Sequence, residues 1–390
     1  VDFQTGAPQN LKPGFIRLDY TAIQLGKPLK FPVFTGEGKL LLNSGHIVRT
    51  KDQLDTLITR GIYQRSTDSR PARPLSSGPA EVIRANVNIF REFDGLVEQL
   101  KTIPELVSSK DSETGKRLRS LVTTIEDYCT RQADACLGKV HFQTSSSPYE
   151  QSLYYAIICC MIARRLQLDV QREKRLIAAA LTANISLFPF QDKLHQSKSS
   201  LNDKQREIIN KHPMLSTAAL RQAGIQDEHW LKIIEQHHER FDGSGYPLGI
   251  GGKELMIEAK ILAATEHYTA LITQRAYRDP INPADAYQKM LAGLSRDDNQ
   301  AVYLALIEEI TMFPPGCLIR LANGEIAIVT HRTQGSAGIC PKVKALVNPK
   351  GGFYSGPLQR HTDQDEYRVV EWVAPMNLPV LNLAQIWGIN

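Results

Sequence analysis

From Ser147 to Thr311 one helical pattern follows another with no strand signal between them, and this stretch restricts the fold more than any other part of the chain. Apolar residues recur at helical spacing over 147–166, 170–185, 203–211, 214–223, 228–239, 257–273, 283–292 and 299–311. Ser147-Pro148-Tyr149-Glu150 reads as a capping box with proline at the first helical position. A core built on 141–311 is therefore expected to be all-α.

The flanks differ from that core. Residues 1–65 predict a small mixed β/α module, with strands at 29–34 and 39–42 around a Thr35-Gly36-Glu37-Gly38 turn and a short helix around Leu54, Leu57 and Ile58. Residues 66–80, rich in Ser, Pro and Arg, read as a linker. Residues 81–140 read as a helical connector pair, either packed on the next domain or serving as a dimerisation element of a homodimer. From 312 to 390 strands return. Asn323-Gly324 between two apolar runs is a strong hairpin signal, and with 342–347 and 367–373 it predicts a small β-barrel-like or sandwich domain. The fold class is thus multidomain: a helical core, a mixed N-terminal module and an all-β C-terminal one.

Composition removes some functions. A net charge of +5 over 390 residues, with Lys and Arg scattered, gives no polyanion-binding face, so neither DNA nor RNA is expected as a partner. The longest apolar run, Tyr154–Ala163, is about half of a bilayer span, so no membrane span is expected. Six cysteines without a C-x-x-C pair, two of them adjacent in an apolar helix, suit a reducing compartment such as the cytoplasm. No signal peptide is visible. The chain begins at Val1 rather than Met, consistent with a start upstream or with processing.

The chemistry gathers at His237-His238-Glu239-Arg240-Phe241-Asp242-Gly243-Ser244-Gly245-Tyr246-Pro247, where two histidines close a helix and a glycine-rich turn follows. Adjacent helical residues point about 100° apart, so both rings reach one pocket only near a helix end. With Gly252, Glu254 and Leu255, this run resembles the signature of HD-GYP domains, a bacterial branch of the HD phosphohydrolases. Lys211-His212-Pro213, Ile261–Glu266 and Arg275-Ala276-Tyr277-Arg278 resemble three further segments of that family, so the resemblance covers roughly residues 145–295. Residues 28–62 are similar to an uncharacterised module found ahead of such domains and show no PilZ-type signature.

The resemblance implies hydrolysis of cyclic di-GMP at a centre of two or three metals, commonly iron or manganese. It also exposes a loss. The family's Leu-Leu-His-Asp-Ile-Gly-Lys segment aligns with Leu181–Leu187, so the name-giving pair becomes Ala183 and Asn184 and the lysine becomes Leu187. A further family histidine aligns with Gln151, and an aspartate ligand becomes Glu266. A two-ion phosphodiester centre needs roughly five or six ligands, including a bridging carboxylate. His212, His237, His238 and Glu266 remain as metal candidates, enough for a single divalent ion, iron or manganese by the resemblance. The two adjacent histidines are either ligands or polar remnants of a decayed pocket.

Arg275 and Arg278 are phosphate candidates or solvated arginines. Arg240, Asp242, Gly243, Gly245, Tyr246 and Pro247 form either a rigid structural turn or a protein-binding surface, which the family implicates in contacts with GGDEF domains. The favoured expectation is a catalytically degenerate regulator, sensor or scaffold in bacterial cyclic di-GMP signalling. It would bind the dinucleotide or a GGDEF partner. The alternatives are a residual metal-dependent cyclic di-GMP phosphodiesterase and a purely structural protein.

Overall fold

Side-chain caps start the helices where the sequence offers them. The computed structural model describes residues 88–142, 144–190, 202–274, 280–293, 300–332, 340–374 and 378–389. Before these it describes only 15–17, 23, 26, 27, 29, 33, 34, 40–42, 48, 50, 53, 57 and 63–65. Among the described residues eleven α-helices follow one another: α1 Ile89–Ser108, α2 Thr114–Arg131, α3 Ala133–His141, α4 Pro148–Arg165, α5 Val170–Thr182, α6 Asp203–Gln222, α7 Glu228–Gln236, α8 Ile257–Ile272, α9 Pro283–Gly293, α10 Gln300–Ile310 and α11 Leu383–Trp387. Asn88, Asp169 and Asp227 accept from first-turn backbone N–H groups, and Asn202 forms a reciprocal capping box with Gln205. The box expected at Ser147 is absent. Pro148 does open α4, but Ser147 makes no cap bond and Glu150 instead accepts from the Tyr154 hydroxyl at 2.9 Å.

α4 is the axis of the core. It is buried on every side from Gln151 to Ala163, which explains why its apolar residues fill consecutive positions rather than one stripe. α5 and α8 pack along it, with α2 and α10 completing the surround. α6 corrects the sequence reading of two helices at 203–211 and 214–223: it runs unbroken through Pro213. Proline has no N–H, so the Ile209 carbonyl four residues earlier loses its helical donor. The ring of His212 takes its place, Nδ1 lying 2.6 Å from that oxygen.

The described residues fall into two compact units, one before residue 85 and one after it. In the first, strands β1 Phe15–Arg17, β2 Val33–Phe34, β3 Leu40–Leu42 and β4 Tyr63–Arg65 form an antiparallel sheet of order β1-β4-β2-β3. Its small core holds Ile23, Leu29, Val33 and Val48. The expected strands at 29–34 and 39–42 correspond to β2 and β3. The expected linker at 66–80 lies outside the described residues, as do Leu54 and Ile58.

In the second unit the helices share their core with a C-terminal sheet. Strands β5 Leu318–Leu321, β6 Ile326–His331, β7 Lys342–Val347, β8 Phe353–His361 and β9 Val369–Val373 pair antiparallel in the order β8-β7-β6-β5-β9. Gly324, at φ +88°, makes the hairpin turn between β5 and β6 and donates to the Leu321 carbonyl. Strand alternation separates the two faces. Leu318, Ile326 and Ile328 join the helical core, while Ile319, Ala327 and Val329 form a second, smaller cluster. The sheet has β8 and β9 as edges and covers its inner face with helices, so the barrel-like closure expected from sequence is not formed among the described residues. α11 returns to the helices, burying Trp387 against Phe90 at 4.8 Å between centroids and so close to Gly138 that a Cβ there would lie 2.4 Å from the indole. Arg332, just past β6, pairs with Asp134 of α3 at 2.5 Å and with Glu309 of α10.

Candidate functional site

Four elements bring the candidate residues together. α6 supplies His212, the C-terminus of α7 supplies His237 and His238, and α8 supplies Glu266. The short 3-10 turn Ile185–Leu187 after α5 is capped by Asn184. α7 stops at Gln236, with His237 as its cap residue. That early stop, rather than the run to 239 expected from periodicity, lets two neighbouring rings share a pocket.

The three histidines each offer a ring nitrogen, and these nitrogens lie within 4.8 Å of one another. His212 Nε2 is 3.3 Å from His237 Nε2. Glu266 Oε2 lies 3.7 Å from His237 Nε2 and 3.8 Å from His238 Nε2. Asn184 Nδ2 donates to the other carboxylate oxygen, Oε1, at 2.7 Å. All four metal candidates named from sequence are therefore brought together, although they are spread over 55 positions of the chain.

The hydrogen bonds settle the ring tautomers. A carbonyl oxygen only accepts, so each ring Nδ1 facing one must carry the proton. His212 Nδ1 donates to the Ile209 carbonyl and His237 Nδ1 to the Ile234 carbonyl, both at 2.6 Å. Both Nε2 atoms are then bare lone pairs facing each other at 3.3 Å. Protonation does not relieve them. Burial, with the neighbouring His237, pushes His212 down to about 3, and burial pushes His237 down to about 4. Burial, followed by His237, His212 and Arg240, holds His238 well below the ordinary imidazole range. A divalent cation between the two nitrogens removes the conflict, and a ring whose Nδ1–H is held by a carbonyl is the usual form of a histidine ligand.

Among the described residues, the other family ligand positions add no metal-binding group to this cluster. Ala183 is fully buried and offers a methyl group. Asn184 turns its N–H toward Glu266. The Gln151 amide is committed elsewhere, donating to Thr273 Oγ1 at 3.0 Å and to the Ser145 carbonyl. Leu187 is buried, Phe188 packs its ring tilted against Tyr149, and Phe190 faces solvent. Among the described residues, three imidazoles and a carboxylate are placed as ligands of one divalent ion would be.

The loop after His238 is held from both ends. Tyr246 stacks on the His238 ring with centroids 4.7 Å apart, and its N–H donates to the His238 carbonyl. Glu239 is buried, and its Oε1 accepts from the N–H groups of Leu248 at 2.6 Å and Gly249 at 3.1 Å. Asp242 Oδ1 accepts from the Ser244 N–H and hydroxyl. Gly243 sits at φ +75°, and a Cβ on Gly245 would lie within 2.5 Å of three backbone atoms of residues 238–240. Arg240, Asp242, Leu248 and Gly249 are exposed.

Sequence reasoning had no role for Glu239, for the Ile209 carbonyl or for the Asn184–Glu266 bond. The first two left signals: a carboxylate beside a glycine-rich turn, and a proline directly after a histidine. The third joins residues 82 positions apart and left none. Arg275 and Arg278 lie outside the described residues. Outside the pocket, His141 is a core histidine bonded to the Tyr268 hydroxyl and His229 is a partner of Glu258.

A family model described as an HD domain matches residues 102–298, half of the chain. The chain belongs to the HD domain family. Its His237–Pro247 run makes it an HD-GYP domain protein. Among its curated relatives is a cyclic di-GMP phosphodiesterase of Pseudomonas aeruginosa, 26% identical over 231 residues, which cover 59% of this chain and 55% of the relative. Another, a cyclic di-GMP phosphodiesterase of Borreliella burgdorferi, is 24% identical over 176 residues, 45% and 46% of the two chains. The HD-GYP chain thus spans about half the length of these relatives. A solved structure of an HDG"Y"P protein from Bdellovibrio bacteriovorus aligns with 75% of this chain and 98% of its own, at 16% identity and a TM-score of 0.47. No described helix of the HD-GYP chain is long and apolar enough to cross a membrane.

Proposed function

We propose that this HD-GYP domain is catalytically degenerate. In this reading it holds a single divalent ion, iron or manganese, on His212, His237, His238 and Glu266. It serves as a regulator, sensor or scaffold in bacterial cyclic di-GMP signalling in the cytoplasm. One observation carries the reading: two bare Nε2 atoms face each other at 3.3 Å beside a carboxylate, while positions 151, 183 and 184 contribute no further ligand. Phosphodiester hydrolysis of the two-ion type places cations about 3.5–4 Å apart to activate the nucleophile and stabilise the leaving oxygen. A single ion supplies Lewis acidity toward a phosphoryl oxygen and leaves the other half of that work undone. The relatives named above are cyclic di-GMP phosphodiesterases, which supports the dinucleotide as ligand. Arg275 and Arg278 are its phosphate partners in this reading. The exposed edge of the Arg240–Pro247 loop is the surface offered to a GGDEF-domain partner.

Calorimetry with cyclic di-GMP, followed by chromatography of the same mixture, tests this. Binding without product is expected. No heat at high micromolar ligand would remove the dinucleotide as ligand. Turnover that His237→Ala abolishes would favour the other reading, a residual metal-dependent phosphodiesterase.

A further inference from the structure

The amide that replaces the family's aspartate does more than vacate a ligand position. Asn184 lies two residues past the end of α5 and caps the 3-10 turn, with the Leu187 N–H donating to its carbonyl at 2.9 Å. That turn is tied to the ligand-bearing helix α6. Ser186 Oγ donates to the His212 carbonyl at 3.1 Å, and Ser216 Oγ donates to Ser186 Oγ at 2.9 Å. Asn184 is therefore fixed relative to His212 before any ion is considered. From this position it reaches Glu266, whose two carboxylate oxygens have separate tasks. Oε1 accepts the Asn184 amide at 2.7 Å, and Oε2 faces the Nε2 atoms of His237 and His238.

We infer that Asn184 is a positioning residue. It holds the Glu266 carboxylate so that one oxygen completes a single-ion centre, and the Asn184–Glu266 pair is the adaptation of this chain to one ion rather than two. Chemistry supports the pairing from both sides. A glutamate is one methylene longer than an aspartate and carries an extra rotatable bond, so without a tether its carboxylate samples positions away from the histidines. An aspartate at 184 would be a second carboxylate within hydrogen-bond distance of Glu266, and the pair would have to share a proton or a cation. The neutral amide donates to Glu266 Oε1 and needs neither. Groups that orient a metal ligand are typically worth about 10- to 100-fold in metal affinity.

This inference rests on the single-ion reading. It is tested on the full chain, stripped of metal and titrated with Co2+, whose visible absorption reports ligand geometry without any turnover. The native chain is expected to take one equivalent. Asn184→Ala is expected to take one equivalent about 10- to 100-fold more weakly, and Asn184→Leu, which keeps the volume but not the donor, should match it. If Asn184 acts through Glu266, Asn184→Ala changes Co2+ affinity by less than about 2-fold once Glu266→Gln is present, because coupled residues are non-additive. Unchanged affinity in Asn184→Ala, or an effect carried undiminished into the Glu266→Gln background, overturns the positioning role and leaves the single-ion reading standing. Uptake of no Co2+, or of two equivalents, by the native chain overturns the single-ion reading and the positioning role with it.

Discussion

Taking the metal-free chain from pH 7 to pH 5 is expected to cost it several kcal/mol of folding stability. His141, His212 and His237 are each buried and neutral, pushed from the ordinary 6.5 to about 4, 3 and 4, with burial the first cause in each case. A histidine whose folded value is depressed binds its proton more readily in the unfolded chain. Its contribution is therefore complete above pH 6.5 and is lost as pH falls from there toward the folded value. At pH 5 the loss is about 2 kcal/mol for each such ring. His141 isolates the effect because it lies outside the metal pocket, donating from Nδ1 to the Leu137 carbonyl and paired through Nε2 with the Tyr268 hydroxyl. Urea denaturation at the two pH values should show His141→Gln losing about 2 kcal/mol less than the native chain. Equal losses in the two proteins would mean that His141 does not sit neutral in the fold.

The second large effect is expected at Gly245. A Cβ there would lie 2.4 Å from Glu239 Cα and 2.5 Å from both the Arg240 nitrogen and the His238 oxygen. All three are backbone atoms of the segment that carries the ligands, so no side-chain rotation makes room. Gly245→Ala should cost about 1–3 kcal/mol, the range for overpacking a tight site. The loop would have to leave its seat, taking the Tyr246 ring off His238. Hydrogen exchange reads this directly, because the Tyr246 N–H donates to the His238 carbonyl in the native loop. Protection at that amide should collapse in Gly245→Ala while amides in α4 keep theirs. Full protection in the variant would contradict the close approach.

Helices were legible because burial on one face imposes a periodicity that survives in the sequence, as in α7, and burial on every face leaves a long apolar run, as in α4. Chain breaks were less legible. Pro213 looked like a boundary, yet a ring nitrogen of the preceding residue stands in for the missing N–H and α6 continues. Ser147 looked like a cap, yet Glu150 found Tyr154 instead. The four metal candidates were recognisable as residue types within a family pattern, and the structure brings them together. Their tautomers and the Asn184–Glu266 bond were not readable in this way. The tautomers depend on carbonyls three residues back in the same helix, for which only Pro213 gave a hint, and the ligand set depends on side chains that meet across α6, α7 and α8, which leaves no local pattern. The C-terminal strands were visible from the Asn323-Gly324 turn and the apolar runs beside it, but the strands alone could not say that helices would cover the inner face and remove the need for closure.

The direct test of the account is the metal content of the native chain purified without chelators. One equivalent of divalent metal per chain, lost on His237→Ala, is the predicted result. Two or more equivalents would contradict it, because the second ion would need ligands that Gln151, Ala183 and Asn184 do not offer.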